Sequence, residues 1–211
     1  LAAIAIGRGS GMPWNQCVEL ANVAAGLEVE VFGATPIPMS QIHKELLSMQ
    51  SQSTGKVRTT EELAIEIAAS KDIGQRVVLT NGCFDVIHAG HVSYLREAAT
   101  CGDILIVGVN CDAQVNAQKG EGRPIYSLQE RMDILAELQC VTFVVPFDEP
   151  TASGLIQALK PNLYVKGGDY APEEINEFAL LSELGITLRV LSERPGRSST
   201  EVIEQLKETH S

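Results

Sequence analysis

Short apolar runs and amphipathic stretches alternate along the chain from residue 76 onward. The apolar runs occupy residues 77–79, 104–109, 142–145, 163–166 and 187–191, and the stretches between them carry apolar residues at helical spacing. Runs of this length are typical of parallel strands that are covered on both faces. Their alternation with helices predicts an α/β fold with a doubly wound parallel sheet, right-handed crossovers and ligands at the carboxyl ends of the strands.

The first 50 residues follow a different pattern. Apolar residues at helical spacing predict helices at residues 1–6 and 14–25, and a glycine-containing turn separates them. A short strand is predicted at residues 29–32, and a last helix at residues 42–49 after a proline break. We therefore expect this segment to be mainly helical.

A polar stretch rich in Ser, Gln and Gly separates the two patterns and is typical of a linker. In the second domain, Thr60 opens an amphipathic helix that continues through Ala69, with Leu63, Ile65, Ile67 and Ala68 expected to cover the sheet. The predicted segments are a helical piece at residues 1–50, a linker at 51–58 and the α/β domain at 59–211.

The charge of the chain narrows the class of partner. The formal net charge is −11, and all of the acidic excess lies in residues 59–211. Such a field repels nucleic acid and anionic membranes, so we expect neither as a partner. No apolar run reaches the roughly 18 residues of a membrane span. The five cysteines are widely spaced without a CxxC pair, which indicates reduced thiols and a cytoplasmic protein.

The candidate chemistry centres on residues 80–91, which read TNGCFDVIHAGH. Two imidazoles, His88 and His91, lie three residues apart with Gly90 between them, at the predicted start of a helix. Free backbone N–H groups and the helix dipole favour anions there, so the pattern favours a phosphate. A zinc site is the weaker alternative because its remaining ligands have no recognisable spacing. A pair of ordinary surface histidines is the other alternative.

Further polar motifs follow the later strands. Asn110 and Asp112 follow the second strand, then come Lys119, Arg123 and Arg131, whose positive charges suit phosphates. The fourth strand ends in Lys166-Gly167-Gly168-Asp169, where glycines let a flat ligand approach the backbone. Residues 196–200, GRSST, precede a predicted helix and could cap it or bind phosphate. Solvated surface cations and a plain Gly-Gly-Asp turn are the alternatives for these motifs.

Residues 80–91 resemble the signature of the cytidylyltransferase-like nucleotidyltransferases, whose HxGH histidines contact the nucleotide triphosphate. Within that superfamily, residues 59–207 are most similar to the adenylyltransferase domains of bifunctional ADP-heptose synthases. VKGGDY at residues 165–170 matches the VKGxDY motif of that branch, and ERM at 130–132 and GRSST match two further motifs. Residues 19–34 resemble the C-terminal end of ribokinase-like sugar kinases.

The resemblance implies a Rossmann-like domain that transfers AMP from ATP to a sugar 1-phosphate, most similar to heptose 1-phosphate, with Mg²⁺ accompanying ATP and no protein metal ligand identified. We also expect a homo-oligomer. A cytidylyltransferase acting on glycerol 3-phosphate and a non-catalytic nucleotide-binding module are the alternatives. The implied catalytic residues are His88, His91, Lys119 and Arg131. The implied nucleotide-binding residues are Asn81, Gly82, Cys83, Phe84, Asp85, Gly90, Asn110, Lys166, Gly167, Gly168, Asp169, Ser198, Ser199 and Thr200. Arg123 and Asp112 are the implied substrate-binding residues.

Overall fold

The computed structural model describes residues 1–30, 33, 36–39, 41–42, 45–46, 55–168 and 171–191. Five parallel strands form one sheet in the order β3-β2-β1-β4-β5. The strands are β1 (Val77–Gly82), β2 (Ile104–Asn110), β3 (Phe143–Phe147), β4 (Leu163–Gly167) and β5 (Thr187–Leu191). The predicted doubly wound parallel sheet is confirmed, and each strand lies at its predicted place.

Two helices precede the sheet domain, and the others cover the two faces of the sheet. The helices are α1 (Ala2–Gly9), α2 (Trp14–Glu30), α3 (Thr60–Asp72), α4 (Ala89–Ala99), α5 (Asp112–Lys119), α6 (Leu128–Ala136), α7 (Ser153–Leu159) and α8 (Phe178–Glu183), with a 3₁₀ turn at Pro172–Glu174. Apolar residues of α3, α7 and α8 pack on one face, and those of α4 and α6 pack on the other. All seven residues of β2 are buried, as an uninterrupted apolar strand between two helical layers requires.

Helix α3 begins where the sequence predicts but turns a different face to the sheet. Thr59 and Glu62 form a reciprocal capping box at its start. Leu63 and Ile67 are buried as expected, whereas Ile65 is 40% exposed and Ala68 is also exposed. The prediction was wrong for these two because the buried stripe of a helix repeats every three to four residues from Leu63.

The segment before the sheet domain is helical where the structure describes it. The strand predicted from residue 29 is wrong for residues 29–30, because α2 continues through Glu30, and residues 31–32 lie outside the described part. Residues 27–30 contain neither Gly nor Pro, so no helix-ending residue occurs among them. The described residues of the predicted last helix, Ile42, Glu45 and Leu46, are helical, and Ile42 packs on α2 through Leu27 and its neighbours.

The end of the predicted linker lies against the sheet domain. Val57 forms a parallel bridge to Val144 of β3. Arg58 is buried and its Nε donates to Glu66 Oε1 at 2.6 Å. This ion pair joins the end of the predicted linker to α3, which contains Glu66. No helix in the described residues is long and apolar enough to cross a membrane.

Candidate active site

The carboxyl ends of β1 and β4 border the crevice in which an open α/β sheet binds its ligands. The chain passes from β1 to β2 and β3 on one side, then returns so that β4 and β5 lie on the other side of β1. The topology therefore reverses between β1 and β4, and a ligand crevice is expected at that point. The segments after these two strands carry the histidine motif and the Lys166 motif.

His88 and His91 lie at the N-terminus of α4, and Nδ1 of each ring accepts from a backbone N–H. The Gly90 N–H donates to His88 Nδ1 with an N···N distance of 3.1 Å, and the His88 N–H donates to His91 Nδ1 at 3.4 Å. The ring centroids are 4.0 Å apart. Because an accepting Nδ1 carries no proton, each neutral ring carries its proton on Nε2 and is a donor through that atom.

The surroundings of His91 keep its ring uncharged. Burial, together with the positive charges of His88 and Lys119, lowers the pKa of His91 to about 4. At neutral pH His91 therefore offers an N–H donor without a positive charge. A neutral donor stabilises charge on a phosphate oxygen through a hydrogen bond, without the desolvation cost of a buried cation.

Two lysines supply positive charge near Cys83. Lys119 is the last residue of α5 and is exposed, and Lys166 lies near the end of β4, with Nζ 5.7 Å from the centroid of the Tyr164 ring. Burial lowers the pKa of Lys166, while the negative charge of Glu177 acts to raise it. Burial raises the pKa of the Cys83 thiol, and both lysines act to lower it. The crevice thus holds two cations beside a protonated thiol, which suits an anionic ligand.

Arg131 is fully buried and its guanidinium is directed into the protein. Nε donates to the Tyr126 carbonyl at 3.1 Å, Nη1 donates to the Cys83 carbonyl, and Nη2 donates to the Asn110 carbonyl and to Asp112 Oδ1, both at 2.8 Å. One side chain therefore joins the end of β1, the end of β2 and the start of α5. The sequence-based role for Arg131 was a phosphate contact, but these bonds use most of its five N–H donors.

Asp85, which the sequence analysis assigned to nucleotide binding, is also bonded within the protein. Its carboxylate is fully buried and accepts from Arg123 Nε and from the backbone N–H groups of Ile125 and Tyr126. The loop from residue 123 to residue 127 is held at the crevice by these bonds. Arg123 is ion-paired to this carboxylate, with 15% of its side chain exposed.

Two aromatic rings pack closely against glycines around the crevice. A Cβ on Gly167 would lie 3.0 Å from Tyr94 Cε2, and a Cβ on Gly82 would lie 3.1 Å from Phe84 Cε2. Phe84 has a positive φ of 47° and its ring centroid is 5.5 Å from that of His91. A side chain at either glycine would require the neighbouring ring to shift by a few tenths of an ångström.

The remaining predicted residues lie at the same edge of the sheet where the structure describes them. Asn110 ends β2 and is buried, and the side chain of Asp112, the first residue of α5, is 49% exposed. Asn81 accepts from the Tyr164 hydroxyl at 2.5 Å, and the Gly168 N–H donates to the Leu191 carbonyl at 3.1 Å. The predictions for four residues lie outside the described part: Asp169, Ser198, Ser199 and Thr200.

Three residues with contacts at this edge were not found from the sequence. Tyr94 and Tyr164 place hydroxyls between the ends of β1 and β4, and Glu177 is a buried carboxylate that accepts from the Ala152 N–H at 3.0 Å. Tyr94 lies three residues after His91, so helical periodicity could have placed both on one face of α4. Nothing local in the sequence distinguishes Glu177 from its acidic neighbours.

Within the described residues, no group of three or more Cys, His, Asp or Glu side chains could hold a metal ion. Asp85 already accepts from three donors, and Asp112 is paired with Arg131. The donors near the crevice, which are imidazole Nε2–H and lysine groups, suit a phosphate and do not suit a hard divalent cation, which prefers oxygen ligands.

Comparisons with known proteins agree with the fold and extend over the whole chain. A family model described as cytidylyltransferase-like matches residues 79–205. The bifunctional protein HldE of Pelobacter propionicus is 42% identical over 211 residues, which is 100% of this chain and 43% of that protein. The bifunctional protein HldE of Geotalea uraniireducens is 40% identical over 207 residues, or 98% of this chain and 42% of that protein. The chain thus spans less than half the length of these curated relatives.

A solved structure is also similar in part. The lipopolysaccharide core biosynthesis protein of Thermoplasma volcanium GSS1 is 26% identical, with a TM-score of 0.49. The similarity covers 59% of this chain and 100% of that one.

Proposed function

Because the chain belongs to the cytidylyltransferase-like family, we propose that it transfers AMP from ATP to D-glycero-β-D-manno-heptose 1-phosphate. The products are ADP-heptose and pyrophosphate. The VKGGDY sequence at residues 165–170 supports the heptose branch of the family, and the two curated relatives, both named bifunctional protein HldE, align with nearly the whole chain. The family uses a nucleotide and a divalent metal, and in this proposal they are ATP and Mg²⁺.

The observation that carries the proposal is the pair of imidazoles at the start of α4. Their Nδ1 atoms accept from backbone N–H groups, so Nε2 of each neutral ring is the donor. At the N-terminus of α4, where the helix dipole also favours anions, the two rings form a pair of donors for phosphate oxygens. The positive charges of Lys119 and Lys166 add to this field, since both act on Cys83 in the same crevice.

The reaction needs placement more than it needs a base. An oxygen of the sugar phosphate is already an anion, and it attacks the α-phosphorus of ATP while the bond to the oxygen that bridges the α- and β-phosphates breaks. Pyrophosphate leaves with that electron pair, and no proton must be removed from the nucleophile. His88, His91 and the lysines therefore hold the phosphates in line and stabilise the charge that develops on their oxygens.

Mg²⁺ enters this scheme with the nucleotide. The described carboxylates near the crevice are engaged by Arg123, Arg131 and backbone N–H groups. We therefore propose MgATP as the substrate, with the ion carried on the phosphates.

The proposal gives Arg131 and Asp85 a positioning role. Arg131 connects the ends of β1 and β2 with the start of α5, and Asp85 fixes the loop that begins at Arg123. Asp112 and Arg123 lie on these elements, where a sugar phosphate beside the α-phosphate could meet them. Asp169 and residues 198–200 stay predicted contacts to the nucleotide.

We also propose that residues 1–50 are the end of a ribokinase-like domain. The support is the sequence resemblance of residues 19–34 and the alignment of the curated relatives through this segment. The predicted homo-oligomer and the predicted cytoplasmic location stay predictions.

A pyrophosphate-release assay with a matrix of substrates tests the activity. ATP and CTP are each combined with heptose 1-phosphate and with glycerol 3-phosphate. We expect turnover with ATP and heptose 1-phosphate to exceed that of every other pair. Preference for CTP with glycerol 3-phosphate would replace the proposal with the cytidylyltransferase alternative. Binding of ATP without pyrophosphate release from any pair would favour a non-catalytic module.

A further inference from the structure

The hydrogen-bonded pairing of β1 with β4 stops early. β1 pairs with β2 along six residue pairs, from Val77 to Gly82, but it pairs with β4 only at Val78–Leu163 and Leu79–Tyr164. The pairs that would come next in register are Thr80 with Val165 and Asn81 with Lys166. The two strands therefore separate at their carboxyl ends, and this separation opens the crevice.

Tyr94 of α4 bridges the separated strands on one face of the sheet. Its hydroxyl donates to the Val165 carbonyl at 3.1 Å and lies 2.6 Å from Thr80 Oγ1. A phenol has one proton, so the Thr80 hydroxyl donates to Tyr94 while Tyr94 donates to β4. Thr80 is fully buried, and the Tyr94 ring packs against the backbone of Gly167. The hydrogen-bonded series Thr80–Tyr94–Val165 thus joins β1 and β4 one position beyond their last backbone pair.

Tyr164 of β4 bridges the same gap on the opposite face. Leu79 and Tyr164 belong to the cluster under α3, α7 and α8, whereas Val78 and Val165 belong to the cluster under α4 and α6. The Tyr164 ring is fully buried, and its hydroxyl donates to Asn81 Oδ1 at 2.5 Å. Burial, with the negative charge of Glu177, raises the pKa of the Tyr164 hydroxyl, so it keeps the proton that it donates.

We propose that the hydroxyls of Tyr94 and Tyr164 are positioning groups that hold the ends of β1 and β4 at a fixed separation across the crevice. The inference rests on the proposed function. The β1 side leads to the imidazoles that would hold the phosphates, and the β4 side leads to Lys166 and the two glycines that would meet the nucleoside. The separation of the strands therefore sets the distance between the groups that hold the two ends of one ATP molecule.

The loss of a bridge is expected to affect turnover more than binding. A crevice that widens by a fraction of an ångström can still bind ATP through one side at a time. The in-line arrangement needs both sides at once, and small misplacements of this kind cost up to about 10²-fold in rate. A positioning role thus predicts a lower kcat with a nearly constant KM for ATP.

The first experiment compares Tyr94→Phe with the wild type in the pyrophosphate-release assay. We expect kcat to fall about 10- to 100-fold, with KM for ATP within about twofold. Thr80→Val, which removes the donor to the same phenol, should give the same loss, and the double variant should lose little more than either single one. Thr100→Val at the C-cap of α4 is the matched control for loss of a hydroxyl, since Thr100 is exposed and its hydroxyl donates to the Glu97 carbonyl of the same turn. Its kcat should equal that of the wild type.

A second experiment does not depend on any substrate. Amide hydrogen exchange is followed in Tyr94→Phe and Tyr164→Phe. We expect faster exchange at residues 80–83 and 165–168, with β2 unchanged. Unchanged exchange in these two segments, or unchanged kcat in Tyr94→Phe, would overturn the inference. A wild-type protein that turns over none of the substrate pairs would overturn the proposed function instead, and the exchange result alone would then decide the inference.

Discussion

The substitution Arg131→Met should lower the free energy of unfolding, because Arg131 bonds to groups within the protein and not to the substrate. Methionine keeps most of the length of the side chain but removes every N–H. The change leaves three backbone carbonyls, those of Cys83, Asn110 and Tyr126, without the donor they have in the wild type. Each buried acceptor left unpaired costs about 1–3 kcal/mol. Loss of one partner of a buried ion pair costs about 3–5 kcal/mol.

Two considerations reduce the sum of these figures. Asp112 has a side chain that is 49% exposed, so its carboxylate can rehydrate when the guanidinium is removed. Water can also reach part of the space that the guanidinium leaves. We therefore expect the free energy of unfolding to fall by about 3–5 kcal/mol, a large part of the typical total of about 5–15 kcal/mol. For a domain of this size the melting temperature should fall by roughly 6–20 °C.

Thermal and urea unfolding followed by circular dichroism measures this loss. Arg131→Lys should lie between the wild type and Arg131→Met, because one ammonium cannot reach all four acceptors. The matched control is Arg96→Met, since Arg96 is exposed on α4, and it should change the free energy of unfolding by no more than about 0.5 kcal/mol. A melting temperature of Arg131→Met within about 2 °C of the wild type, with turnover lost, would refute the reasoning and return Arg131 to a direct phosphate contact.

Three further predictions concern the imidazoles and the residue after Gly168. His88→Ala and His91→Ala should each lower turnover by about 10²–10³ with melting temperatures near that of the wild type; a large loss of stability with modest loss of rate would contradict the proposed role. The pKa of His91 is about 4 in the folded protein against 6.5 for an ordinary histidine, so between these pH values the unfolded chain binds a proton that the folded chain does not. The free energy of unfolding of the wild type should therefore fall as the pH falls from 6.5 to 4, more steeply than that of His91→Gln in urea titrations. Equal slopes would contradict the burial of a neutral ring. Asp169→Asn should raise KM for ATP or lower kcat while changing the free energy of unfolding by less than about 0.5 kcal/mol. Unchanged kcat and KM would contradict a nucleotide contact and favour the alternative that Asp169 only forms a turn.

The positions of the strands could be predicted because the central strands of a parallel sheet are covered on both faces. Such strands must be apolar along their length, as β2 is, and this signal is local in the sequence. The start of α4 was predictable for a similar reason, since His88, Gly90 and the apolar spacing that follows belong to one helix terminus. The resemblance of residues 80–91 added the family, which the comparison confirms.

The direction of a long polar side chain was not predictable in the same way. The sequence shows an arginine on a helix that follows the second strand, and a phosphate or a set of backbone carbonyls would suit its N–H donors equally. Arg131 points inward because the carbonyls of Cys83 and Asn110 lie within its reach only after β1 and β2 have paired. The length of α2 through Glu30 and the exposed side of α3 also depended on packing that propensity does not determine.

The sequence alone thus determined the succession of strands and helices along the chain, and it determined which residues lie at the edge where the parallel strands end. The tertiary structure decided how wide the crevice is and which groups hold it open. The bridges from Tyr94 to Thr80 and Val165, and from Tyr164 to Asn81, join residues from 14 to 83 positions apart. Their existence depends on the register of β1 against β4, which is set when both faces of the sheet are covered and no short stretch of sequence encodes it.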